Sequence, residues 1–195
     1  MKRKILVAAF LITAAAAYAQ KQMTSTELIN QISQGKSLVY ENVTIVGDID
    51  LYNLGASTQT GQYPENGKTA YVLTNFVKQP LSFNNCTFQG KLTMCKKAES
   101  ATEKKEYRVE FTEDVTFKNC IFEKEADFEL TNFDKAVSFE GSVFIEQPRF
   151  VRMGLYQKPN MQGLKLQKGC LFQFDQSKKE QVFTAQELSK ILEAM

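Results

Sequence analysis

Large apolar residues recur through residues 115–172, at Phe117, Phe122, Phe128, Phe133, Phe139, Phe144, Phe150, Leu155, Met161, Leu166 and Phe172. The steps between them alternate five and six, so two steps span eleven residues and four span twenty-two. Two positions before the anchors sit smaller, mostly apolar residues: Val115, Cys120, Ala126, Thr131, Val137, Ser142, Pro148 and Met153. In an extended segment, residues i and i−2 point to the same side. Each segment therefore offers one large and one small group inward, and the residue between them faces out. Neither a helix nor a single hairpin needs such a count. A solenoid does, with one large inward side chain per side of a coil.

The position three before an anchor sets the period. It holds Asn119, Gly141 and Gly163 in one column, but Leu130 and Arg152 in the column offset by eleven. Asn and Gly tolerate left-handed backbone angles. One corner in four is thus expected to be special, and the coil to hold about twenty-two residues. The register extends backwards through LVYENVTI (38–45), LSFNNCTF (81–88), VTFKNCIF (115–122), VSFEGSVF (137–144) and PNMQGLKL (159–166). The corner column becomes Asn42, Asn85, Asn119, Gly141 and Gly163, spaced 43, 34, 22 and 22.

The two longer spacings place insertions after Leu51 and after Met94, at about 52–74 and 95–108. Both leave the coil at the same point and are expected to stack on one edge. The first is rich in Gly, Ser, Thr, Gln and Asn, and the second carries many charges of both signs. They are either tolerated surface excursions or loops that display a binding surface. Residues 71–76 and 107–111 read as strands returning to the solenoid. Thr74-Asn75-Phe76 aligns with Thr131-Asn132-Phe133, at the cost of one bulged residue before Phe83.

The stretch SFEGSVFIEQPRF, with NCTF and NCIF before it, resembles the pentapeptide-repeat family, in the variant whose steps alternate between five and six. The centre is mostly Phe here, where the family's commonest pattern has Leu. The resemblance covers roughly residues 38–172. It implies an all-β fold, a right-handed four-sided parallel β-helix of four to five coils. It implies little about activity, because such modules mostly bind or support. DNA mimicry by acidic cytoplasmic members, which inhibit gyrase, is the family's best-known role.

The ends read differently. Residues 1–19 form a signal peptide, with Lys2, Arg3 and Lys4, a short apolar run, and Ala17-Tyr18-Ala19 before a cleavage point at Gln20. Residues 20–37 hold an N-terminal capping helix, spanning about 24–34. Thr24 and Glu27 make its capping box, Met23 and Leu28 its staple. The β-helix spans 38–174, and 175–195 hold a linker and a C-terminal helix with the Thr184/Glu187 box and a Leu188, Ile191, Leu192 stripe. A solenoid exposes its core at both ends, so these helices are expected to be lids. The last one could instead dock a partner.

The chain has no His and no Trp, which removes imidazole-based catalytic and metal sets. No cofactor or metal site is expected, and the reading is of a non-enzyme. Asp48 and Asp50 flank the inward Ile49, with Asp127 stacked above, on an exposed wall without a pocket. Cys86, Cys120 and Cys170 should point inward. Cys86 and Cys120 stack within disulfide reach, yet parallel side chains favour free thiols. Cys95 starts the charged insertion, where it could be more exposed. Ile121, Val143 and Ile145 form an outer apolar group, continued by Thr44 and Thr87. It is either a partner or homodimer surface, or an ordinary preference of strands for β-branched residues.

Cleavage would remove three of 24 basic residues and none of 22 acidic ones, leaving a nearly neutral chain. That argues against nucleic acid and against DNA mimicry. The expected function is an exported binding or structural module of the periplasm or cell exterior, with an envelope protein or glycan as partner. A carbohydrate-binding or carbohydrate-active protein is the alternative, with a groove carrying paired carboxylates and Tyr63 and Tyr107. No transmembrane segment is expected after cleavage.

Overall fold

The computed structural model describes residues 21–173 and 180–193. The proposed signal peptide and its cleavage point, and most of the linker, lie outside the described residues. The repeat anchors fall where the inward pattern puts them. Phe117, Phe122, Phe128, Phe133, Phe139, Phe144, Phe150 and Phe172 are buried, as are Val115, Cys120, Ala126, Thr131, Val137, Ser142 and Pro148. Strands in this region are only two to four residues long, because each turns a corner once its inward pair is placed.

The strands pair into four sheets, nearly all in parallel. One sheet joins Lys21–Thr24, Val43–Val46, Thr87–Phe88, Ile121–Phe122, Val143–Phe144 and Lys165–Leu166 in that order. Its register carries Thr44 to Thr87, Thr87 to Ile121, Ile121 to Val143 and Val143 to Lys165. Leu38, Leu81, Val115 and Val137 stack in a second sheet, and Ile49, Leu92 and Ala126 in a third. These are the offsets read from the corner column. A chain that visits such sheets in turn, each strand parallel to the one a coil before, is a β-helix solenoid.

Asn42, Asn85 and Asn119 sit at φ of 53–55°, with Gly141 at 66° and Gly163 at 69°. The expectation of one special corner is incomplete, however. Leu130 (φ 57°) and Arg152 (φ 53°) are left-handed too, so the corner offset by eleven has the same geometry. A non-glycine residue there costs about 1–3 kcal/mol unless its surroundings hold it. Leu130 is held by burial and Arg152 by an ion pair with Glu129.

The core is a set of ring columns. Tyr40, Phe83, Phe117 and Phe139 stack at centroid spacings of 5.3–5.4 Å. Phe88, Phe122 and Phe144 stack at 4.7 and 4.3 Å. Neighbouring columns meet mostly edge to face, as for Phe117 and Phe122. The Thr74-Asn75-Phe76 alignment is corrected by one residue. Val77, not Phe76, pairs with Phe111 and so lies in the column of Phe133. Val77 is buried, Phe76 faces out beneath Lys78, and no bulge is needed.

Two small inward hydroxyls have opposite fates. Ser142 Oγ donates to the Phe117 carbonyl at 2.9 Å and accepts from the Cys120 N–H at 2.9 Å. Thr131 Oγ1 is buried without a partner. A satisfied buried group contributes and an orphaned one costs about 1–3 kcal/mol. Thr131→Val should therefore stabilise the protein by about 1 kcal/mol, and Ser142→Ala destabilise it by about 1–3 kcal/mol. Urea midpoints should move in opposite directions, and movement the same way would contradict the argument.

At the N-terminal end, Lys21–Thr24 is a strand and pairs parallel to Val43–Val46, a feature the sequence reading missed. Thr24 then caps the helix Ser25–Ser33 by accepting from the Glu27 N–H at 3.1 Å. Leu28 and Ile32 enter the core, and Gln79 donates to the Ile32 carbonyl at 2.6 Å. At the other end, Gln181–Phe183 folds back antiparallel on Cys170–Gln173. Thr184 and Glu187 cap each other reciprocally, and Leu188 and Leu192 of Ala185–Glu193 are buried in the core.

Candidate functional site

The two insertions are not loose loops. Thr58–Glu65 and Lys68–Val77 form an antiparallel hairpin. Its turn is Asn66-Gly67, with φ of 50° and 76°. Two left-handed residues match the tight turn whose twist suits a hairpin. Lys96–Glu99 and Glu103–Phe111 form a second hairpin, with Ser100 Oγ accepting from the Glu103 N–H at the tip. The two are welded together: Lys68–Val77 pairs in parallel with Glu103–Phe111 over nine residues. The inner end of this sheet continues into the solenoid through Glu110–Asn132 and Phe111–Phe133. A four-stranded wing therefore grows from one solenoid sheet.

Directly paired residues share a face. Tyr63, Ala70, Lys104 and Glu99 stand on one face, with Val72, Glu106 and Lys97 beside them. A groove of about 440 Å³ runs over this face and reaches Arg152 at the solenoid corner. Its charges are already matched. Lys104 pairs with Glu65 at 3.1 Å, Glu99 with Lys68 at 2.6 Å, Lys105 with Glu103 at 3.0 Å, and Glu106 with Arg108. Tyr63 is 45% exposed and lines the groove. Tyr107 pairs with Lys96 and Leu73 on the opposite face, so the structure separates these two candidate residues.

Beneath the groove lies Glu129, which the sequence reading did not single out. It is buried, although it carries a charge. Lys97 reaches it at 2.7 Å, Arg149 at 3.1 Å, and Arg152 also pairs with it. Burial alone would raise its pKa, but hydrogen bonds from Lys97, Arg152 and Arg149 outweigh that and hold it at about 2. Arg149 also spans Asp127 at 3.5 Å and Glu180 at 3.2 Å, which ties the returning C-terminal strand to the same cluster. One signal was available: Asp127 and Arg149 stand twenty-two residues apart and stack in register.

Cys95, Asp127 and Glu129 bring ligand atoms within 4.8 Å of one another. Three cations on Glu129 oppose a metal ion there, since a divalent cation would have to displace them. Cys95 is also a correction. It is 8% exposed rather than open, and burial, with Asp127 and Glu129 nearby, pushes its thiol up to about 12. Such a thiol is a poor nucleophile at neutral pH. All four cysteines are free and buried. Cys86 donates to the Tyr40 carbonyl at 3.6 Å, and Cys120 to the Phe83 carbonyl at 3.3 Å. The Cys86 sulfur and burial push the Cys120 thiol up.

Ile121 is 40% exposed and pairs with Val143, while Ile145 is half-buried. Thr87 and Lys165 flank the pair, and Thr44 is buried, so the apolar group is short. Asp48 is taken up in structure, accepting from the Lys91 N–H at 2.8 Å, and Asp50 accepts from the Tyr52 hydroxyl.

With this geometry in place, the comparisons are informative. The model of the family described as pentapeptide repeats (9 copies) matches residues 107–151, which makes this stretch a run of pentapeptide repeats. Proteins built on such repeats are generally structural or binding modules rather than enzymes. No curated protein and no solved structure matches the chain.

Proposed function

We propose that this chain is an exported, non-enzymatic binding module of the cell envelope, in which a right-handed, four-sided solenoid of four to five coils presents the hairpin wing. The observation that carries this reading is the wing itself. Two insertions of unrelated composition are paired over nine residues and enclose a groove, which is more order than tolerated excursions need. Rigid scaffolds place binding surfaces on such projections. Export rests on the basic start, the short apolar run and Ala17-Tyr18-Ala19. The nearly neutral charge gives no support to a nucleic-acid partner.

The test is a pull-down of the tagged protein from envelope extract, beside the variant Tyr63→Ser/Lys104→Glu. Both residues line the groove and neither is in the core. A partner captured by the first and lost by the second is expected. A partner held equally by both would move the interaction away from the wing, and no partner at all would leave a structural role. Protein recovered from the envelope should begin at Gln20, and an intact N-terminus would contradict export with cleavage. The carbohydrate alternative is favoured by one observation, the tyrosine ring set among fixed carboxylates and ammonium groups in the groove.

A further inference from the structure

We infer that the wing groove binds a neutral oligosaccharide, with the Tyr63 ring as its stacking platform. This deepens, and rests on, the reading of the chain as a binding module. The first argument is charge. The lysines and glutamates that line the groove are each ion-paired, Lys97 with the buried Glu129 and the others at the sheet surface. An ionic ligand would have to break those pairs to find a counter-charge. A sugar hydroxyl both donates and accepts, so it can bridge a carboxylate and the ammonium beside it while the pair survives.

The second argument is the ring. Tyr63 stands nearly half exposed on Thr58–Glu65, a strand with no charge from Thr58 to Pro64. It stands directly opposite Ala70 on the same face. A rigid aromatic face with polar groups around it is what an amphipathic sugar ring packs against. The volume of about 440 Å³ lies within the roughly 300–1,000 Å³ of small-ligand clefts.

The third argument weighs against one competing occupant, an extended peptide paired beside Tyr63. An extended peptide would add to the free edge of Thr58–Glu65. Pro64 stands opposite Thr69, next to the Glu65–Lys68 pair that closes the turn. That pair exchanges the hydrogen bonds, so the nitrogen of Pro64 falls on the free edge, where it has no N–H to offer. The register also slips between Gln59 and Gly61. Both features blunt strand addition, whereas the open face beside the edge is untouched by them.

The test is calorimetric titration of the protein with chitohexaose, cellohexaose, maltohexaose and mannohexaose, at about 0.05 and about 0.5 M NaCl. At least one sugar should bind, with an affinity that changes less than about twofold between the two salts, because no ion pair is formed. Tyr63→Ala should weaken it about tenfold or more. Tyr156→Ala, an exposed ring outside the groove, should leave it unchanged. Circular dichroism serves to check that each variant is folded. The inference is overturned if none of the four sugars binds, if Tyr63→Ala binds as tightly as the parent, or if affinity collapses with salt. Should the sugars fail while partner capture still depends on Tyr63 and Lys104, the glycan reading falls alone. Should both fail, the binding module falls with it.

Discussion

Phe144→Ala should lower the free energy of unfolding by about 3–5 kcal/mol. Phe144 is fully buried. Its ring stacks on Phe122 at 4.3 Å and meets Phe150, Phe139 and Phe128 at 5.8, 6.0 and 6.4 Å. Truncation removes the transfer energy of the ring and leaves a void lined by four other rings. Those rings sit on paired strands or directly after them, and cannot close in without breaking register. Coils contact only their neighbours, so a void in mid-stack weakens coupling on both sides of it. Urea unfolding followed by far-ultraviolet circular dichroism should show a much lower midpoint. A reduced slope as well would mean that the two halves then unfold separately. Phe172→Ala, near the C-terminal end, should cost less, since Phe172 is slightly exposed where Phe144 is fully buried.

Glu129→Ala should cost about 3–5 kcal/mol, because it strands three cations around a buried site. The same group makes stability depend on acid. In the unfolded chain its carboxyl titrates near 4.5, and in the fold at about 2. A lowered folded-state pKa stabilises the protein fully above pH ~4.5, and that contribution is lost as pH falls towards 2. The difference corresponds to about 3 kcal/mol. Glu129→Gln should therefore be clearly weaker than the parent at pH 7 and nearly equal to it at about pH 2. A gap that stays constant across that window would refute the assignment to Glu129.

The solenoid was legible because its physics is periodic. Each side of a coil must fill the same volume, so a large and a small residue return at fixed steps, and Asn85, Asn119 and Gly141 mark a bend that few residues tolerate. What was illegible broke that economy. Leu130 and Arg152 occupy the same bend, yet their identity does not announce it; burial and an ion pair hold them there. At Phe76 the sequence favours the aromatic as the anchor, yet the valine beside it is the one inside. The hairpins lie outside the repeat, although Asn66-Gly67 between two polar strands is a strong local sign. Glu129 reads as an outward acid. Its partners stand 20 and 23 residues on and 32 residues back, a convergence only the stacked coils produce.

The constant offset between paired residues bears on how such a chain can change length. Wherever both partners lie between Val115 and Lys165, the paired strands stand twenty-two positions apart. Duplicating any twenty-two consecutive residues there would insert a new layer whose neighbours above and below present the same contacts as before. The gene can thus lengthen or shorten this rod by a single recombination event without redesigning an interface. The wing strands precede this stretch but meet it at Glu129, Asn132–Phe133 and Arg152, so a layer added after Arg152 would leave those contacts as they are.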